Sequence, residues 1–225
     1  ALYLNHGYLF CVLLFWLIFF PAHRFLSLDV YQKRVERADL VPKLYQNFLC
    51  FLMGMVYFYG GLAKINPDWL QAVPMLQWLE AKGEYWLIGP LLQMDGTAWF
   101  MSYAGLLFDL LAPLGLLYRP TRNFFFFWAL GFHIINTAVF QIGIFPWLSI
   151  GLTALFFSDQ NFYSIYHWIK GKIKALPMLQ EHSLVPNTHH LFRSLLIPFI
   201  ALMLVLPFRH HLFPGNVGWT EEGHR

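Results

Sequence analysis

A chain of 225 residues that is 58% hydrophobic and 20% aromatic, with only 12% charged residues, lies far from the composition of a soluble globular domain. Its formal charge of +3 is small and its basic residues are scattered, so no basic stripe with interleaved aromatics points to nucleic acid. With a mean hydropathy of +0.49, the sequence reads as an integral membrane protein of the all-α class, a polytopic helix bundle whose first partner is the lipid bilayer.

Apolar runs predict six crossings, at about 2–20, 45–65, 97–118, 124–141, 142–157 and 191–208. Asn5 and His6 open the first. The sequence begins at Ala1 without a basic n-region or a small-residue cleavage site, which is read as a trimmed start rather than a signal peptide. Cys11 and Cys50 both lie in apolar runs, where a cysteine acts mostly as a small hydrophobe, so neither a disulfide framework nor a metal site is expected.

The second run ends on Tyr57-Phe58-Tyr59-Gly60-Gly61-Leu62-Ala63-Lys64-Ile65-Asn66-Pro67-Asp68-Trp69. Lys64 has two readings: it snorkels to the headgroups, or it is a partly desolvated amine whose charged form is disfavoured and which can serve as a base. Gly60 and Gly61 lie beside it at helical spacing, and Gly54 and Gly61 are seven apart. Such glycines admit either a neighbouring helix or a flat ligand. The connection from Asn66 to Gly96, rich in tryptophan and proline, is expected to form short helices near the outer surface that roof the site.

In the third run, Asp109 costs about 2.5–3.5 kcal/mol at mid-membrane, so it needs a partner or a proton. Backbone freed near Pro113, Arg119, or a polar residue of another helix would serve, and the role expected for it is structural support. The fourth run carries His133, Asn136 and Thr137 on one helix face. Only Gly143 and Pro146 punctuate the stretch from Phe124 to Phe157, which could equally hold one long helix and a re-entrant piece.

Arg24, Lys33, Arg34, Arg37 and Lys43 follow the first run, Arg119 and Arg122 the third, and Lys170, Lys172 and Lys174 the fifth; the opposite connections offer only Lys82, Arg209 and Arg225. The positive-inside rule then places the start and the C-terminal tail on the non-cytoplasmic side, periplasm in a bacterium or ER lumen in a eukaryote. It also brings Asn5, His6, Lys64, His133, Asn136 and Gln141 toward the same leaflet. The adjacent pairs His189-His190 and His210-His211 lack the spacing by which a helix holds one metal, and no metal is assigned.

The run Gly60 to Trp69, with Leu4-Asn5-His6-Gly7-Tyr8, Phe132-His133-Ile134-Ile135-Asn136 and Phe140-Gln141-Ile142-Gly143-Ile144-Phe145, resembles the membrane domain of the vitamin K-dependent gamma-glutamyl carboxylases. Pro21-Ala22-His23-Arg24, Ser27-Leu28-Asp29 and the ending from Pro214 to Arg225 are similar to bacterial relatives of that family, the HTTM-domain proteins. The resemblance implies an enzyme of the carboxylase and vitamin K epoxidase type. Its lysine, at Lys64, deprotonates reduced vitamin K, a naphthohydroquinone; O2 then drives epoxidation, coupled to addition of CO2 at glutamate. It places Asn5 and His6 beside the quinone ring, His6 also as a catalytic residue, with His133 nearby; the helical spacing of Asn136 with His133 and of Gly60 and Gly61 with Lys64 adds these three as cofactor-binding candidates. It divides the chain into a membrane domain, 1–209, and the start of a non-cytoplasmic region, 210–225. That region would continue in the family into a β-rich part that handles a glutamate-containing protein substrate, so this piece alone is not expected to carboxylate a peptide. The rival readings are a non-catalytic quinone- or lipid-binding membrane protein and a structural scaffold.

Overall fold

The computed structural model describes residues 5–39, 41–85, 88–140, 142–173 and 190–208, and among them every regular element is helical. In chain order the α-helices are α1 (Asn5–Leu17), α2 (Leu28–Tyr31), α3 (Lys43–Ala63), α4 (Pro67–Leu70), α5 (Val73–Glu80), α6 (Gly89–Leu92), α7 (Asp95–Leu117), α8 (Arg119–Ile135), α9 (Phe145–Ala154), α10 (Asp159–Lys172) and α11 (His190–Val205), with short 3-10 helices at Ala22–Arg24 and Leu206–Phe208 and a π-helix at Asn136–Phe140. They belong to two compact units, Ala1–Tyr45 with Leu176–Arg225, and Gln46–Ala175.

In the first unit the core is aromatic. Trp16 of α1 packs edge-on against Phe192 and Phe199 of α11, with ring centroids 5.2 and 5.0 Å away. Between α1 and α3 the chain is held by local polar contacts. Ser27 caps α2 by accepting from the Val30 amide at 3.2 Å. Arg37 grips Asp39 through two parallel hydrogen bonds of 2.5 and 2.7 Å.

The second unit is built on α3, α7, α8 and α9. Phe108 of α7 is wholly buried and touches Tyr57 of α3 and Trp128 and Phe132 of α8, so three helices share one aromatic centre. Helix α3 meets α7 where its glycines face the contact, Gly60 opposite Asp109 and Gly61 opposite Leu110. A Cβ on Gly61 would stand 2.9 Å from the backbone nitrogen of Leu110, closer than real Cβ atoms come. Helices α7 and α8 meet at a single extended residue, Tyr118, followed by Pro120 in the first turn of α8. The carbonyls that α7 leaves unpaired are taken up by α8 itself: Thr121 donates to Gly115 at 2.8 Å, and Arg122 to Leu116 and Leu117 at 2.7 and 3.0 Å. The end of α9 is closed by Gln46 of α3, whose amide donates to Leu155 and Phe157.

By length and apolarity two of the described helices are fit to cross a membrane, Asp95–Leu117 and Arg119–Phe140; a third span results if Gly7–Leu17 and Ala22–Tyr31, bent by 58°, form one broken crossing. Helix α3 has 21 residues, about 31 Å at 1.5 Å per residue, but Gln46, Asn47 and its glycines dilute its apolarity. Helix α9 has 10 residues, about 15 Å, half of a hydrocarbon layer about 30 Å thick. The stretch from Phe124 to Phe157 therefore takes the form of a long helix followed by a short one. The α8 pattern loosens to a π-helix over Asn136–Phe140 and the chain turns at Gly143, whose φ of +67° suits a residue without a side chain. The count of six crossings rests on the apolar pattern and not on helix lengths.

Candidate functional site

Lys64 lies just past the last turn of α3, where the backbone tightens through Lys64 and Ile65 amides donating to Gly61 and Leu62 carbonyls. Asn66 makes this corner sharp. Its side chain donates to Ala63 O at 2.8 Å, closing α3, and accepts from the Trp69 amide at 2.9 Å, opening α4, with Pro67 in the first turn. Trp69 is in turn locked to α7: its indole N–H donates to Ser102 O at 3.0 Å, and the Ser102 hydroxyl donates to Trp69 O at 2.8 Å. Tyr103 adds a bond to Leu70 O at 2.9 Å. The Asn-Pro-Asp-Trp motif is thus a device that sets one indole against the end of α3.

That indole covers Lys64, whose Nζ stands 5.2 Å from the ring centroid. The amine does not reach outward. Side chains on a helix tilt toward its N-terminus, and at the end of α3 this carries the lysine back into the unit. There Nζ donates to Gly60 O at 3.3 Å and to Asp109 Oδ2 of α7. The ion pair is mostly covered, with side-chain exposures of 19% for Lys64 and 8% for Asp109. Of the partners weighed for Asp109, the polar residue of another helix is the one found, and Arg119 is not its partner.

The glycines serve this contact. Asp109 Oδ2 lies 3.3 Å from where a Cβ on Gly60 would stand, and Leu110 fills the space beside Gly61. What they receive is α7.

Two turns back along α3 is a second polar cluster. The Tyr57 hydroxyl is 2.9 Å from His133 Nε2 on α8 and 2.8 Å from Thr153 Oγ1 on α9, so one group ties three helices. His133 and Thr153 are 1% and 0% exposed. His133 Nδ1 and Ser149 Oγ, also buried, have no hydrogen-bond partner among the described residues. Thr137 bonds back to His133 O at 2.9 Å, while Asn136 begins the π-helix and is half-buried. Thr153, Ser149 and Ser102 escaped the sequence reading. Ser149 and Thr153, spaced four apart on an apolar helix, are the signal that could have marked α9 as a polar face.

Asn5 and His6 open α1 in the other unit, and their side chains lie outside the described ones, as do Gln141, His189, His210 and His211. Among the described residues, no group of three His, Cys, Asp or Glu is placed to hold a metal ion.

Chemically, the Lys64 site offers a hydrogen-bonded amine with about one-fifth of its side chain accessible, a carboxylate behind it and an indole wall. An amine is a partner for an acidic hydroxyl, and an indole is a partner for a flat ring. Residues 1–161 match the HTTM domain, and residues 188–225 match the vitamin K-dependent gamma-carboxylase lumenal domain. No solved structure matches the chain.

Proposed function

Since this chain belongs to the HTTM-domain family and carries a match to the lumenal domain of vitamin K-dependent gamma-carboxylases, we propose that it is the membrane part of an enzyme in which Lys64 is the general base toward a reduced naphthoquinone. When bound, that hydroquinone would supply, with O2, the driving force for CO2 addition at a glutamate side chain. The observation that carries the reading is the direction of Lys64. Its amine is turned inward onto Asp109 and Gly60 O beneath Trp69, which supports a working amine over a snorkelling anchor.

The chain's own residues divide the work. Lys64 takes the proton, and Trp69 shields it from water while leaving one side accessible. Gly60 and Gly61 hold the amine in place by letting α7 in. His133, tied to Tyr57, braces the helices behind this end of α3 in a supporting role, and Asn136 follows it at the start of the π-helix. The family likeness alone assigns Asn5 and His6 to orienting the ring oxygens, with His6 taking part in catalysis, while the excess of Lys and Arg in the alternate connections argues for a C-terminal tail on the non-cytoplasmic side.

The test is Lys64→Ala in the protein held in lipid nanodiscs. Hydroquinone-dependent oxygen uptake and epoxide formation are expected to fall by about 10²–10⁴, the usual contribution of a general base. Uptake unchanged in a folded variant would remove Lys64 from the mechanism.

A further inference from the structure

An ammonium has three N–H donors and no lone pair, so a charged lysine accepts nothing; it becomes a base only when one of its protons has gone elsewhere. In this structure the nearest place is Asp109. The carboxylate is bound directly to Nζ, is 8% exposed, and sits on a helix brought in by two glycines. Written as ammonium with carboxylate, or as amine with carboxylic acid, the pair holds the same protons and carries no net charge. A neutral pair suits an apolar surrounding, where a lone ammonium would be costly.

We infer that Lys64 and Asp109 form one proton-accepting unit, in which Asp109 is the positioning residue that lets the lysine take a proton without first losing one to water. This rests on the base reading of Lys64. In the step, a hydroxyl O–H of the phenolic co-substrate breaks heterolytically and its electron pair stays on oxygen. The proton joins the pair, which becomes ammonium with carboxylic acid. The pair goes from zero to one positive charge and the donor from zero to one negative charge, so the balance closes without any oxidant. Trp69, whose ring faces Nζ, favours the ammonium end of the product.

Other titratable groups around the pair do not compete. Tyr57 on α3 and His133 on α8 are bound to each other. Tyr59 on α3 packs edge-on against Phe58, Tyr103 on α7 donates to Leu70 O, Asp95 on α7, Asp68 on α4 and Glu80 on α5 are exposed, and α6 carries none.

The experiment uses the protein in nanodiscs with menadiol as the probe. Infrared difference spectra on adding menadiol are expected to show a protonated carboxyl band that is absent from both Asp109→Asn and Lys64→Met. Menadiol-dependent oxygen uptake by Asp109→Asn is expected to drop about a hundredfold at neutral pH. It should then climb about tenfold per pH unit, because the lone amine must now lose a proton to solvent. The native protein should show a flat profile through the same range, and Asp109→Glu should keep that flat profile. A purely structural aspartate would give a loss that pH does not relieve, and that outcome overturns the inference. Asp109→Asn with native rate and profile also overturns it; if Lys64→Ala is then still inactive the base reading survives alone, and if it is active both fail. Should Asp109→Asn not fold, the native spectrum decides: no protonated carboxyl on adding menadiol means no shared proton.

Discussion

Two polar clusters hang on the same helix, two turns apart, and they differ in what they can do. The Tyr57 cluster is neutral and sealed, and one hydroxyl spans three helices. The Lys64 cluster is charged and left partly accessible at the helix end. Uncharged hydrogen bonds in an apolar interior fix helices relative to one another at modest gain, whereas an ion pair there is held in place by geometry and stays chemically responsive. The same α3 therefore supplies a strut and a reactive end, and substitutions should tell them apart.

The largest effect is expected from Lys64→Met, which strands the Asp109 carboxylate: about 3–5 kcal/mol of stability lost, read from thermal or denaturant unfolding in detergent. Adding Asp109→Leu should return most of that stability without returning activity. A single variant that unfolds like the native protein would mean the pair is not a buried one. Next is Gly61→Ala, whose methyl meets the Leu110 backbone; forcing α7 away should cost about 1–3 kcal/mol and weaken the pair with it. Tyr57→Phe removes both bonds of the strut and should cost about 1–2 kcal/mol, yet leave hydroquinone-dependent oxygen uptake within about twofold of native. A collapse of uptake there would erase the distinction between the clusters. The smallest effect belongs to Ser102→Ala, about 0.6 kcal/mol, with a small rise in the mobility of Trp69 as reported by its fluorescence anisotropy.

The helices were legible because membrane helices announce themselves by apolar runs: the predicted 45–65 and 97–118 coincide closely with α3 and α7. Lys64 and Asp109 were each legible as charges needing a reason. Their pairing was not, because 45 residues separate them and apolar periodicity says nothing of which helix neighbours which. One clue was present. A lysine at the C-terminal end of a helix leans back along it, so inward was its natural direction. The length of the helix within 142–157 was not legible for a different reason: an apolar stretch shows burial, not continuity, and here the regular helix covers Phe145–Ala154, after the turn at Gly143.

The turn between α7 and α8 has a consequence for how the chain enters a bilayer. The carbonyls that end α7 find their donors on Thr121 and Arg122, within one turn of the next helix. The hairpin thus carries its own substitute for water at its tip. It can leave the aqueous side as a closed piece, with no carbonyl waiting for a later helix to satisfy it. Arg122 does two things at once there, since the guanidinium that closes the tip is also a fixed positive charge that resists being drawn through the apolar layer.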